Sequence, residues 1–228
     1  MNLKERWYNL FEGTKYSILS KEYSFIEKQY SENDRTYHNI EHLKQSFKVL
    51  DTFCTEGTYN FDRGCFVVSD KEEYTHQKSL SKLDISVIEI VIFYHDIIYN
   101  PQDRILSSEY KSSIQAYTFL NMIETVPYFY HAINLILATQ EGYIPKTDIE
   151  KLMIDIDYSI LGAENSIFEN YEDAIRLEYD FLPDQWFDYY RKKWIENLLA
   201  NGIFHTDFFI NKFSKQALYN LQNSRYLS

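Results

Sequence analysis

The chain has 228 residues, the upper end of what one compact domain holds and enough to bury a substantial core. Its 45% apolar and 18% aromatic content, with 21 Tyr and 16 Phe, excludes a disordered chain, and 6 Gly with 4 Pro leave few turn-formers for a hairpin-rich all-β fold. A formal net charge of −11 argues against a broad basic footprint for nucleic acid or anionic lipid, so a small ligand is expected, and a phosphorylated one would need a bound cation to reverse the local field.

In chain order, residues 4–30 carry Trp7, Leu10, Phe11, Ile18, Leu19, Phe25 and Ile26, a pattern that predicts two helices broken near Gly13. Ile40, Leu43, Phe47, Leu50 and Cys54 recur at intervals of three and four, which predicts a helix ending before Gly57. Residues 57–83 are the least regular stretch, with a short hairpin expected around Asp62-Arg63-Gly64, and form a candidate lid or surface insertion. Residues 84–99 are apolar on nearly every side, and their length favours a central core helix. Asp84, or Ser86 with Glu89, supplies its start, and Asn100-Pro101 its stop. Amphipathic helices follow at about 104–124, 127–140, 147–161, 164–181, 184–201 and 206–223, separated by Pro127, Gly142 with Pro145, Gly162, Pro183 and Gly202. No repeat and no shift in composition marks a second domain, so the expectation is one all-α domain over residues 1–228.

The opening MNLKERWYNLF has neither a long apolar run nor a cleavage site, and no later run reaches the roughly 18 apolar residues that a membrane span requires. A cytoplasmic protein without a membrane partner is expected. Cys54 and Cys65 lack the spacing of a thiolate metal site or redox pair and are expected to be reduced thiols.

Chemistry concentrates in a few ionisable residues. His38 and His42 in RTYHNIEHL have i,i+4 spacing, which on a helix puts both imidazoles on one face. His95-Asp96 lies near the end of the most apolar helix, where burial is costly unless the pair coordinates a cation or is itself paired. Asp155 and Asp157 in MIDIDYSILG point in different directions on a helix, so only one of them joins a common ion. Two imidazoles and two carboxylates suit one divalent ion, among Mn, Fe, Co, Ni, Zn and Mg. His131 sits in an apolar helix and is expected in the core; His76 and His205 are expected in loops or at the surface.

The order His, His-Asp, Asp on a helical scaffold resembles the HD superfamily of metal-dependent phosphohydrolases. The segments RTYHNIEHL, FYHDIIYNP, SEYKSS, ILAT, DIDYSILG, YEDAIRLEY and FHTDFF look like one bacterial branch of predicted HD phosphohydrolases and cover residues 35 to about 210. The resemblance implies His42, His95, Asp96 and Asp157 as metal ligands, with Asp157 preferred over Asp155. It implies His38 beside the metal, with Arg35, Glu109, Arg176 and Tyr179 as polar residues of the pocket. It further implies hydrolysis of a small phosphate ester, a nucleotide among the candidates, by metal-activated water, with His38 or Glu109 assisting proton transfer. Two departures stand out: QEGYIP follows ILAT where relatives carry a histidine, and Ala217-Leu218 replaces an alanine-arginine pair. They leave two rivals in view, a non-catalytic HD module binding a nucleotide or protein partner and a diiron HD oxygenase. The scarcity of histidines between His95 and Asp157 favours a single metal.

Overall fold

A computed structural model describes residues 2–56, 59–60, 65–66, 80–103, 105–124 and 126–227. Among them are ten α-helices: α1 (Leu3–Leu10), α2 (Tyr16–Gln29), α3 (Ile40–Glu56), α4 (Lys82–Tyr94), α5 (Ser108–Met122), α6 (Val126–Ala138), α7 (Asp148–Asp157), α8 (Asn165–Glu178), α9 (Asp184–Asn201) and α10 (Asp207–Gln222). A 3-10 turn, Tyr158–Gly162, continues α7. The fold is all-α, with one small addition: Tyr59–Asn60 and Cys65–Phe66 pair antiparallel, Tyr59 opposite Phe66. The expected hairpin turn at 62–64 and most of the candidate lid at 57–83 lie outside the described residues, as do His76 and the Cys65 side chain.

The core forms around α4. Val87, Ile88, Ile90, Val91, Ile92, Phe93 and Tyr94 are all buried, because α4 touches α1, α3, α5, α6 and α7 and along this stretch only Glu89 reaches solvent. Each such side chain stabilises the fold by about 1.5–3 kcal/mol relative to exposure. Trp7 of α1 meets Phe93 edge-on at 5.2 Å, and its indole N–H donates to the Leu19 carbonyl, tying α1, α2 and α4 together. The break between α1 and α2 falls where expected, at Gly13, whose φ of 90° is costly for a residue with a side chain.

α4 begins earlier than its apolar pattern predicts. Ser81 is the N-cap, and Asp84 is its capping-box partner three residues on, so the helix starts at Lys82. His131 corrects another expectation, since it faces solvent on α6 while Ala132, Leu135 and Ile136 face the core. An apolar neighbourhood in sequence does not set the face; the 3.6-residue period does. Cys54 is a free thiol that burial pushes up to about 12, which keeps it protonated and inert at neutral pH.

Candidate metal centre

Three mutually touching helices bring four ligand-type side chains to one point. His42 lies in the first turn of α3, His95 and Asp96 just past the end of α4, and Asp157 at the end of α7. His95 Nε2 lies 3.0 Å from Asp96 Oδ2 and 3.6 Å from Asp157 Oδ1; His42 Nε2 lies 3.1 Å from His95 Nε2, 3.7 Å from Asp96 Oδ2 and 3.4 Å from Asp157 Oδ1. Donors held about 2.1 Å from one ion stand about 3.0 Å apart in octahedral geometry and about 3.4 Å apart in tetrahedral geometry. These five edges, 3.0 to 3.7 Å, lie close to that spacing, so the four residues could hold a metal ion.

The surroundings prepare the donors. His95 Nδ1 faces the Ile92 carbonyl at 3.0 Å, which places its proton on Nδ1 and turns the Nε2 lone pair toward the other ligands. Burial alone would raise the carboxyls of Asp96 and Asp157. Neighbouring imidazoles, His95 and His38 for Asp96 and His42 with His95 for Asp157, reverse this and hold both below the usual carboxylate range. Burial would likewise lower His95, but Asp96 and Asp157 hold it well above its ordinary value. Two buried carboxylates thus demand positive charge between them, from imidazolium protons or from a cation.

Asp155 faces elsewhere. It is fully buried and accepts from the His205 N–H (2.8 Å), the Thr206 N–H (2.8 Å) and the Thr206 hydroxyl (2.6 Å), immediately before α10. A carboxylate there satisfies donors at a helix start, and the two-residue offset from Asp157 gives the two side chains different neighbours. His205 itself is exposed and contributes only its backbone N–H.

His38 precedes α3 instead of lying on it, so helical spacing is not what brings it to His42; their rings are 5.8 Å apart. Glu178, at the end of α8, holds it. The His38 Nδ1 lies 2.6 Å from Glu178 Oε2, while Oε1 accepts from the Tyr37 and His38 backbone N–H groups at 2.7 and 2.8 Å. The opposite face of the imidazole stack is Tyr99, at 4.1 Å. Burial lowers the His38 pKa, but Asp96, Glu178 and Asp157 outweigh it and the net shift is upward.

Glu178 escaped the sequence reading although YEDAIRLEY contains it. Its signal is periodic: Phe168, Tyr171, Ile175 and Glu178 share the buried face of α8, and a carboxylate on an apolar register needs a partner.

A cavity of about 550 Å³ opens beside the centre, lined by His38, Asp96 and Asp157 and also by Glu109, Tyr99 and Tyr179. Arg35 and Arg176 occupy other places. Arg35 is buried behind the ligands and donates to the Asp96 and Ile97 carbonyls at 2.6 and 2.9 Å, with further bonds to the His38 carbonyl and Glu32. It clamps the turn that carries His95 and Asp96, and a guanidinium with its donors so engaged does not line the cavity. Arg176 bonds the Tyr179 and Leu182 carbonyls and Asp184 in the α8–α9 connection, because its position near the end of α8 favours binding of terminal carbonyls.

The chain matches no family model, no curated protein and no solved structure. Among the described residues no helix is long and apolar enough to cross a membrane.

Proposed function

We propose that the protein is a metal-dependent phosphohydrolase of the HD type, acting on a small phosphate ester. The observation that carries this reading is the convergence of His42, His95, Asp96 and Asp157 at near-coordination spacing, with Asp96 and Asp157 on the wall of a cavity that also receives an oriented histidine. A divalent ion held by these four residues would supply Lewis-acid polarisation of a phosphoryl oxygen and a water acidified toward neutral pH.

The chain's own residues provide orientation and proton transfer. Glu178 fixes the His38 tautomer with the proton on Nδ1, so that Nε2 is the atom left to serve the cavity. In its charged form, which the surrounding carboxylates favour, His38 donates a proton from Nε2 to the departing alcohol oxygen. Overall, a water oxygen forms a bond to phosphorus, the ester P–O bond breaks, and the alcohol leaves with the donated proton. Arg35 holds the Asp96 backbone in place during turnover.

The test is turnover of a panel of phosphate monoesters by protein loaded with Mn, Fe, Co, Ni, Zn or Mg. Activity in at least one metal form is expected. His95→Ala and Asp96→Ala should abolish it, and His38→Ala should reduce kcat by about a hundredfold or more. Unchanged turnover in His95→Ala, or two irons per chain with oxygen consumption, would overturn the reading.

A further inference from the structure

Away from the ligands, the cavity is unusual in its chemistry. Eight aromatic side chains line it, among them Tyr99, Tyr158, Tyr179, Tyr190 and Trp194, together with the carboxylates of Glu109 and Glu141. Its Arg and Lys side chains are already engaged, as His38 is with Glu178. Arg191 donates twice to Glu172, at 3.0 and 2.7 Å, with its guanidinium 4.0 Å over Trp194, and Lys193 pairs with Glu196 at 2.8 Å. Among the described residues neither Glu109 nor Glu141 has a hydrogen bond or an ion pair. Partial desolvation raises the Glu141 carboxyl, Arg191 opposes the rise and Glu109 adds to it.

With Arg191, Lys193 and His38 each facing a glutamate and the ligand aspartates facing the metal position, the cavity charge left without a partner among the described residues is that of the half-buried Glu109 and of Glu141, which is exposed at the cavity's edge. We propose that this part of the cavity recognises an organic ammonium group, so that the substrate is a zwitterionic amino-alcohol phosphate. The inference rests on the hydrolase reading for the phosphate end. Aromatic faces attract an ammonium through their negative quadrupole, and carboxylates complete its charge. A second metal ion fits less well: among the described residues no third His, Cys, Asp or Glu joins Glu109 and Glu141 in a ligand group. A nucleobase would stack on the same walls but brings no positive charge to offset the two carboxylates.

The experiment compares kcat/KM of the metal-loaded full chain for choline phosphate and for its uncharged isostere, in which carbon replaces the quaternary nitrogen. A preference of about tenfold for the charged ester is expected, falling to about threefold or less in Glu141→Gln and recovering in Glu141→Asp. Binding of choline itself, followed by tryptophan fluorescence, should weaken in parallel. Equal rates for the two esters, a preference unchanged in Glu141→Gln, or stronger preference for a nucleoside monophosphate would overturn the proposal while leaving the hydrolase reading intact. Choline binding that depends on Glu141, with no ester hydrolysed in any metal form, would remove the hydrolase reading and leave the ammonium site standing.

Discussion

At the scale of single residues, the contrast between Asp155 and Asp157 separates the candidate metal centre from the scaffold. Asp157→Asn removes an anionic donor facing two imidazoles, and metal affinity should fall by on the order of a hundredfold or more in a calorimetric titration. Asp155→Asn should leave that affinity within about threefold while lowering stability to urea by about 2 kcal/mol, since three donors at the start of α10 lose a charged acceptor. The reverse pattern would make Asp155 the ligand. Arg35→Lys tests the clamp behind Asp96: an ammonium cannot reproduce the planar fork that reaches two carbonyls, so metal affinity should drop about 10–100-fold without any ligand having been changed. Unaltered affinity in the same titration would show that the turn holds itself.

Among the elements, the 3-10 turn directly follows Asp157 and ties the end of α7 to α10. It packs on α10 at Gly162, where an added Cβ would lie 2.7 Å from Phe213 Cβ and 2.9 Å from the Phe213 carbonyl oxygen. Asn220 of α10 secures the same turn by donating to the Leu161 and Ala163 carbonyls, both at 2.8 Å. Gly162→Ala should therefore cost about 1–3 kcal/mol through overpacking, read as a lower urea midpoint. A variant as stable as the parent would mean that α10 can shift freely. The element boundaries from α5 to α10 follow the amphipathic pattern closely, because caps and glycines are local signals. The start of α4 does not, because its capping box lies outside its apolar run.

For the whole molecule, the ligands come from three helices that are distant in sequence, so an ion bound at the centre links their packing to one another. An ion that binds only the folded chain, present at about 100 times its Kd, adds about 2.7 kcal/mol, which for a chain of this size raises Tm by about 5–10 °C. Addition of a chelator should reverse the gain in a calorimetric scan, and Asp157→Asn should show neither effect. A Tm indifferent to metal and chelator would count against a metal centre.

The sequence by itself determined the all-α class, nearly every helix and the small pool of histidines and aspartates from which the four converge; the choice of His42 with Asp157 over Asp155 rested on the family resemblance. Periodicity and caps are properties of neighbouring residues, and buried ionisable groups are conspicuous against an apolar background. What only the tertiary structure decided is direction and partnership. Asp155 and Asp157 part company because one meets α10 and the other meets α3 and α4; Arg35 and Arg176 bond backbone carbonyls far from their own positions or across a chain turn; Glu178 finds His38 from 140 residues away. Such contacts depend on how helices pack, and packing joins residues whose separation along the chain carries no local signal.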